Sequence, residues 1–160
     1  MTRPDQTYLD TLLLYYEEEI EGEAYFAELA RIFSAPEQSK RLTLLAEVER
    51  HAAQGVAPLI ARYGLTPRSD AILTQSGHGQ AQRAPATWAS LLDEMNRTYP
   101  GYLAAFEALE AIGPAEDQAR LRFLTQHEVA ALDYLALENE GVADSYAPLE
   151  RYLASAPAPA

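Results

Sequence analysis

Cysteine is absent from the 160 residues. That excludes disulfides, thiolate metal sites and cysteine nucleophiles together, and it suits a reducing compartment. Basic residues are few. Twelve Lys and Arg against 24 Asp and Glu leave a formal net charge of −12 and a pI of about 4.6. A chain this acidic repels phosphate backbones and anionic headgroups, so neither nucleic acid nor an anionic membrane is expected as a partner. Long apolar runs are also missing: none approaches the roughly 20 residues that span a bilayer. The start, Met1-Thr2-Arg3-Pro4-Asp5-Gln6, has no basic stretch followed by an apolar one, so no signal peptide is read and the expected location is cytoplasmic. There is no Gly-x-Ser-x-Gly and no serine triad to assemble. Gly77-His78-Gly79 lacks the helix-opening context of a phosphate loop. Histidine is scarce as well: His51, His78 and His127 are the full set, read either as surface groups or as a three-histidine metal site with His78 folded over the bundle.

What is present is helical. Hydrophobic residues make up 48% and charged residues 22%, an ordinary globular composition. The first helix is predicted from about Asp5 to Phe33, the second from about Pro36 to Tyr63 with Pro58 near its end, and Gly64 as its cap. Residues Gly64 to Pro85 show no helical period and read as one long connection. A third helix is expected from about Ala86 to Ile112, interrupted near Pro100-Gly101. A fourth runs from about Ala115 to Glu140, and a short last helix from about Ser145 to Leu153. Residues 1–153 would form one domain and 154–160 a disordered tail. Two tight links make the first and second helices antiparallel, and likewise the third and fourth. A connection long enough to travel the bundle height joins the pairs, the one-crossover pattern of a ferritin-like four-helix bundle.

Each helix carries an apolar stripe at spacings of three and four. In the first it reads Leu9, Leu13, Tyr16, Ile20, Glu23, Ala27, Ala30. In the second it reads Leu42, Leu45, Glu49, Ala52, Val56, Leu59, Tyr63, and in the fourth Leu121, Leu124, Glu128, Ala131, Leu135, Glu138, Val142. Three helices thus place a glutamate within the stripe, near mid-height. The third, Trp88, Leu92, Met95, Tyr99, Leu103, Phe106, places none. Buried unpaired carboxylates are costly, and a divalent metal compensates them well; carboxylate and imidazole suit iron or manganese. The bland alternative is a stripe-edge glutamate bent to solvent, with the run from Glu17 to Glu23 a solvated face. Among ten tyrosines, Tyr15, Tyr16, Tyr25, Tyr99 and Tyr102 are placed to neighbour the carboxylate layer. A phenol bonding a buried acid is the more economical reading than a redox tyrosine.

The segments Glu19-Ile20-Glu21-Gly22-Glu23-Ala24-Tyr25-Phe26 and Leu45-Ala46-Glu47-Val48-Glu49-Arg50-His51 resemble the ferritin-like superfamily. The first is similar to the Ile-Glu-Gly-Glu helix of the cyanobacterial aldehyde-deformylating oxygenases, where Glu23 matches a ligand position. Gln126-His127-Glu128-Val129-Ala130-Ala131-Leu132, followed by Leu137-Glu138-Asn139-Glu140-Gly141, resembles small bacterial ferritin-like proteins. The resemblance implies a di-metal carboxylate oxidoreductase with oxygen activation at reduced metal. Glu23, Glu49 and Glu128 would be core ligands, with Tyr99, His51, His127 and Glu138 secondary candidates, acting on a small molecule the sequence does not identify. Such a site takes Glu-x-x-His from two helices, yet Ala52 and Ala131 stand where those histidines would be. That departure motivates a second expectation: a bundle that has lost its metal and serves as a binding or interaction module, as a homodimer for example.

Overall fold

Helix starts are written in short polar side chains. Asp5 accepts from the Thr7 N–H, Ser69 from Ile72 and Thr87 from Ser90, each relieving an orphan donor of the first turn. In a computed structural model describing residues 2–159, these caps and Pro36 open helices α1 (Gln6–Ile32), α2 (Pro36–Arg62), α3 (Asp70–Gln82) and α4 (Trp88–Ile112). A 3-10 turn at Ala115–Asp117 leads into α5 (Gln118–Asn139), and α6 (Ala147–Leu153) follows. Four of the six helices are long, and no strand occurs among the described residues. Gly64 closes the α2 end with φ 62°, as the glycine cap predicts.

Side-chain pairings set the directions. Tyr8 packs edge-on against Tyr63, and Ser39 donates to the Ala30 carbonyl, so α1 and α2 are antiparallel. Asn96 pairs with Asn139 and Thr125 with Glu110, which makes α4 and α5 antiparallel. Arg41 meets Glu138 and Arg62 meets Asp117, which does the same for α2 and α5. Tyr15 on Phe106 and Phe33 on Trp88 do it for α1 and α4. Around the bundle the order is α1, α2, α5, α4, with α2 and α4 parallel across it. The segment between α2 and α4 therefore climbs the full height.

That segment differs from its expected form. Residues 64–85 are not helix-free: α3 occupies 13 of them and runs parallel to α1, with Arg68 at Glu17, Ser76 at Glu21 and Gln82 at Glu28. Two glycines depress its intrinsic propensity, but Gly77 is where its backbone crosses α1. A Cβ there would lie 2.3 Å from the Glu21 carbonyl oxygen and 2.8 Å from the Ala24 Cβ. Tertiary packing of Leu73, Gly77 and Ala81 outweighs propensity. Pro100 likewise fails to interrupt α4, which continues through it as α2 does through Pro58. The fourth long helix begins at Gln118, later than Ala115, because residues 115–117 form the 3-10 turn.

Polar clamps fix both ends of the apolar core. At one end Asp117, wholly buried, accepts from the Tyr8 and Tyr63 hydroxyls and from Arg62, each at 2.7 Å. At the other, Arg41 reaches Glu138 at 2.8 Å and the Ala143 carbonyl at 2.9 Å, tying down the turn before α6. Helix α6 then docks on α5, with the Tyr152 hydroxyl donating to the Phe123 carbonyl at 2.9 Å. Residues 154–159 follow without helix, and the Ser155 carbonyl lies 2.7 Å from His51 Nε2.

Candidate metal centre

Midway along the bundle the core changes from apolar to acidic. Glu19 on α1, Glu49 on α2 and His127 on α5 bring one ligand-type atom each to within 4.8 Å of one another. His127 Nε2 is 3.0 Å from Glu19 Oε2, 3.4 Å from Glu49 Oε2 and 3.6 Å from Glu128 Oε2. Glu19 and His127 are buried to 3% and 2% exposure and Glu128 to 5%, so these charges are poorly solvated. Glu49 lies across Gly22, where a Cβ would come within 3.0 Å of its carboxylate carbon. The small residue makes room for the carboxylate to enter.

Local helix geometry orients the imidazole. His127 Nδ1 sits against the Leu124 carbonyl one turn back; a carbonyl only accepts, so Nδ1 carries the proton and Nε2 faces the carboxylates. Phe106 stands edge-on to the ring at 5.0 Å and Tyr152 lies 6.4 Å away, so rotation is blocked from two directions. Hydrogen bonding of the remote nitrogen with packing of the ring is the usual support of a metal-binding histidine.

The charges are in conflict as they stand. Burial pushes the Glu19 carboxyl well above its usual range, and the neighbouring Glu49 charge adds to this. Burial also raises Glu128, to about 7, with Glu49 contributing against the opposing effect of His127. Glu49 is lowered: burial opposes its charge, but hydrogen bonding with Glu19 and the His127 cation prevail. For His127 burial opposes the proton, yet Glu19 and Glu49 hold it well above the ordinary imidazole value. Glu128 Oε1 is buried with no hydrogen-bond partner, and the only partner near the buried Glu19 Oε2 is the His127 nitrogen. Buried carboxylates gathered on one imidazole nitrogen are a group that a divalent cation could satisfy.

The sequence-derived candidates fall in several places. Glu49 and His127 belong to the group, and Glu128 borders it. Glu23, one turn along α1 from Glu19, instead pairs with Arg50 at a partly exposed site. His51 packs on Phe123 and Tyr152 with Nε2 toward Ser155. Glu138 pairs with Arg41, and exposed His78 lies on α3. Tyr99 lines the cavity described below; its phenol is held well above the usual range by burial, then by the Glu128 and Glu49 charges. Glu19 is the residue that stripe reasoning passes over. Its signal was the seven-residue spacing Leu12, Glu19, Phe26, all three of which are buried.

The remaining acids of α1 are not a uniform solvated face. Glu17 accepts from the Arg68 backbone N–H at 2.7 Å and Glu21 from Ser76 and Gln80, which anchors the crossover. Glu18 borders a cavity of about 500 Å³ that reaches from the surface between α1 and α4 down to Glu19, Glu49, His127 and Glu128. Comparison with protein-family models, curated proteins and solved structures gives no match. Among the described residues, no helix is long and apolar enough to cross a membrane.

Proposed function

We propose that this protein is a metal-dependent oxidoreductase on a ferritin-like bundle, with iron or manganese held by Glu19, Glu49, His127 and Glu128. The single observation that carries the reading is the convergence of three carboxylates on one buried imidazole nitrogen, with the buried Glu128 Oε1 left without a partner. The path of the chain supports it: two antiparallel helix pairs and a crossover that climbs the bundle match the ferritin-like pattern. One histidine joins the group where a paired site takes two, so the donors favour a single ion over the di-metal arrangement.

When bound, such an ion supplies one-electron redox chemistry at the inner end of the cavity. The protein's own groups do the rest. Glu19, Glu49 and Glu128 set the charge of the site, and the Leu124 carbonyl with Phe106 and Tyr152 fixes the His127 ring. The buried Met95 and Phe106 give the cavity apolar lining. Tyr99 keeps its proton and so remains a hydrogen-bond donor to whatever occupies the cavity.

The test is anaerobic loading with Fe(II) followed by exposure to air, monitored by near-ultraviolet absorption. The reading expects oxidation faster than for free Fe(II) in the same buffer, abolished in His127→Ala and Glu49→Ala. Identical rates with and without protein would count against it. A metal-free role as an interaction module is the second reading. It is favoured by the way protonated His127 already offsets its carboxylates. It expects no rise in melting temperature with Mn(II), where a tight ligand at about 100-fold excess over Kd would add roughly 3 kcal/mol.

A further inference from the structure

The cavity above the metal group has a composition of its own. Six carboxylates border it, and Arg83 and His127 are the only bordering side chains that can carry positive charge. Glu19, Glu49 and Glu128 are committed to the centre at the inner end. Glu21 is taken by Ser76 and Gln80. Glu18 and Glu94 remain, on opposite walls formed by α1 and α4, and neither has an ion-pair partner among the described residues. The rings of Tyr15, Tyr25, Tyr99 and Tyr102 line the same cavity. Tyr99 and Tyr102 lean on each other with centroids 5.6 Å apart, and Tyr15 stands edge-on to Phe106 at 5.2 Å. Electron-rich ring faces interleaved with free carboxylates attract a cation and repel an anion. At the inner end the buried, unpartnered Glu128 oxygen carries the same polarity.

From this we infer that the cavity takes a small organic ammonium ion, an alkylamine or arylamine. Its charged end lies between Glu18 and Glu94 against the tyrosines, and its apolar body extends past Met95 and Phe106 toward the centre. That the bound amine is also the substrate rests on the metal-centre reading; that it binds here rests on the cavity walls alone. An ammonium with an apolar body fits better than a bare inorganic cation, because Met95, Phe106 and the tyrosine rings line the cavity along with its carboxylates. Arg83 stands at the α3 end of the wall and is exposed. An anionic analogue tests its influence.

The experiment is isothermal titration of the Mn(II)-treated protein with benzylamine, benzyl alcohol and benzoate, compounds of one shape and three charges. The manganese content of each sample is measured before and after. Benzylamine is expected to bind roughly fivefold tighter than benzyl alcohol, the scale of a cation over partly exposed aromatic faces, and benzoate not at all. In the variant Glu18→Gln/Glu94→Gln, which spares every residue of the metal group, the preference for the amine should vanish while manganese content is unchanged. Equal binding of amine and alcohol would overturn the inference. So would an amine preference that survives in the variant, since the amine would then be sitting elsewhere on an acidic surface. A second equivalent of manganese lost in the variant would also overturn it, by assigning the cavity to a metal ion. Absence of manganese together with a variant-sensitive amine preference would sink the metal-centre reading and leave the amine site standing.

Discussion

Glu128 gives the sharpest handle on the energetics of the centre. In the metal-free protein its carboxyl is pushed up to about 7, first by burial and then by the Glu49 charge, from an ordinary value of 4.5. The folded state therefore holds a proton that the unfolded chain releases between those two values. A raised carboxyl makes the fold relatively more stable at low pH, and that advantage disappears as pH rises from 4.5 through about 7. His127 acts in the same direction: its raised value adds stability that is lost as pH climbs through it. Glu49, which is lowered, acts in the opposite sense, adding stability above its ordinary value and losing it as pH falls. At about 1.4 kcal/mol per pH unit, the Glu128 contribution amounts to about 3 kcal/mol between acid and mildly alkaline pH. For a chain of this size that is a melting shift of roughly 6–12 °C. The perturbation is Glu128→Gln, which keeps the shape and removes the titration. Thermal melts of the chelator-treated proteins from about pH 5 to about pH 8 should show the wild type losing stability faster than the variant by that margin. Parallel wild-type and variant curves would refute the reasoning, since Glu128 would then ionise without cost.

Three further outcomes follow from the packing. Asp117→Ala strands the Tyr8 and Tyr63 hydroxyls and Arg62 at one end of the core, and urea unfolding should show a loss of about 3 kcal/mol or more. Gly77→Ala drives a methyl into the α1 backbone at Glu21; a cost of about 1–3 kcal/mol is expected, with faster amide exchange confined to α3 and the facing turn of α1. Tyr152→Ala removes one wall of the His127 ring and should weaken manganese binding by roughly 10- to 100-fold, whereas Tyr152→Phe, losing only the bond to the Phe123 carbonyl, should cost about 1 kcal/mol of stability and leave the affinity intact.

How much of this the sequence disclosed depended on how many sides each helix buries. For α2 and α5 the three-four stripes run through the true core, and Glu49 and Glu128 were found on them. Helix α1 is apolar on more than one side, because α2 packs on one and α3 on another. The stripe through Leu13, Tyr16 and Ile20 is half-buried, while the deeper one runs through Tyr8, Leu12, Glu19 and Phe26. A period alone cannot choose between two apolar faces, so Glu23 stood out and Glu19 did not. His127 stood only as a secondary candidate for a related reason. It lies one residue off the α5 stripe and is sealed by Phe106 and by Tyr152 of α6, a contact between distant parts of the chain. Helix α3 was hidden by its glycines, whose meaning appears only when α1 lies against them.

The most direct test of the centre is the metal content of the protein purified with iron and manganese supplied, compared across Glu19→Ala, His127→Ala and Glu23→Ala. The account predicts near-stoichiometric metal in the wild type and in Glu23→Ala, whose carboxylate pairs with Arg50, and its loss in Glu19→Ala and His127→Ala. Metal retained in Glu19→Ala, or a folded wild type that binds none, would contradict it.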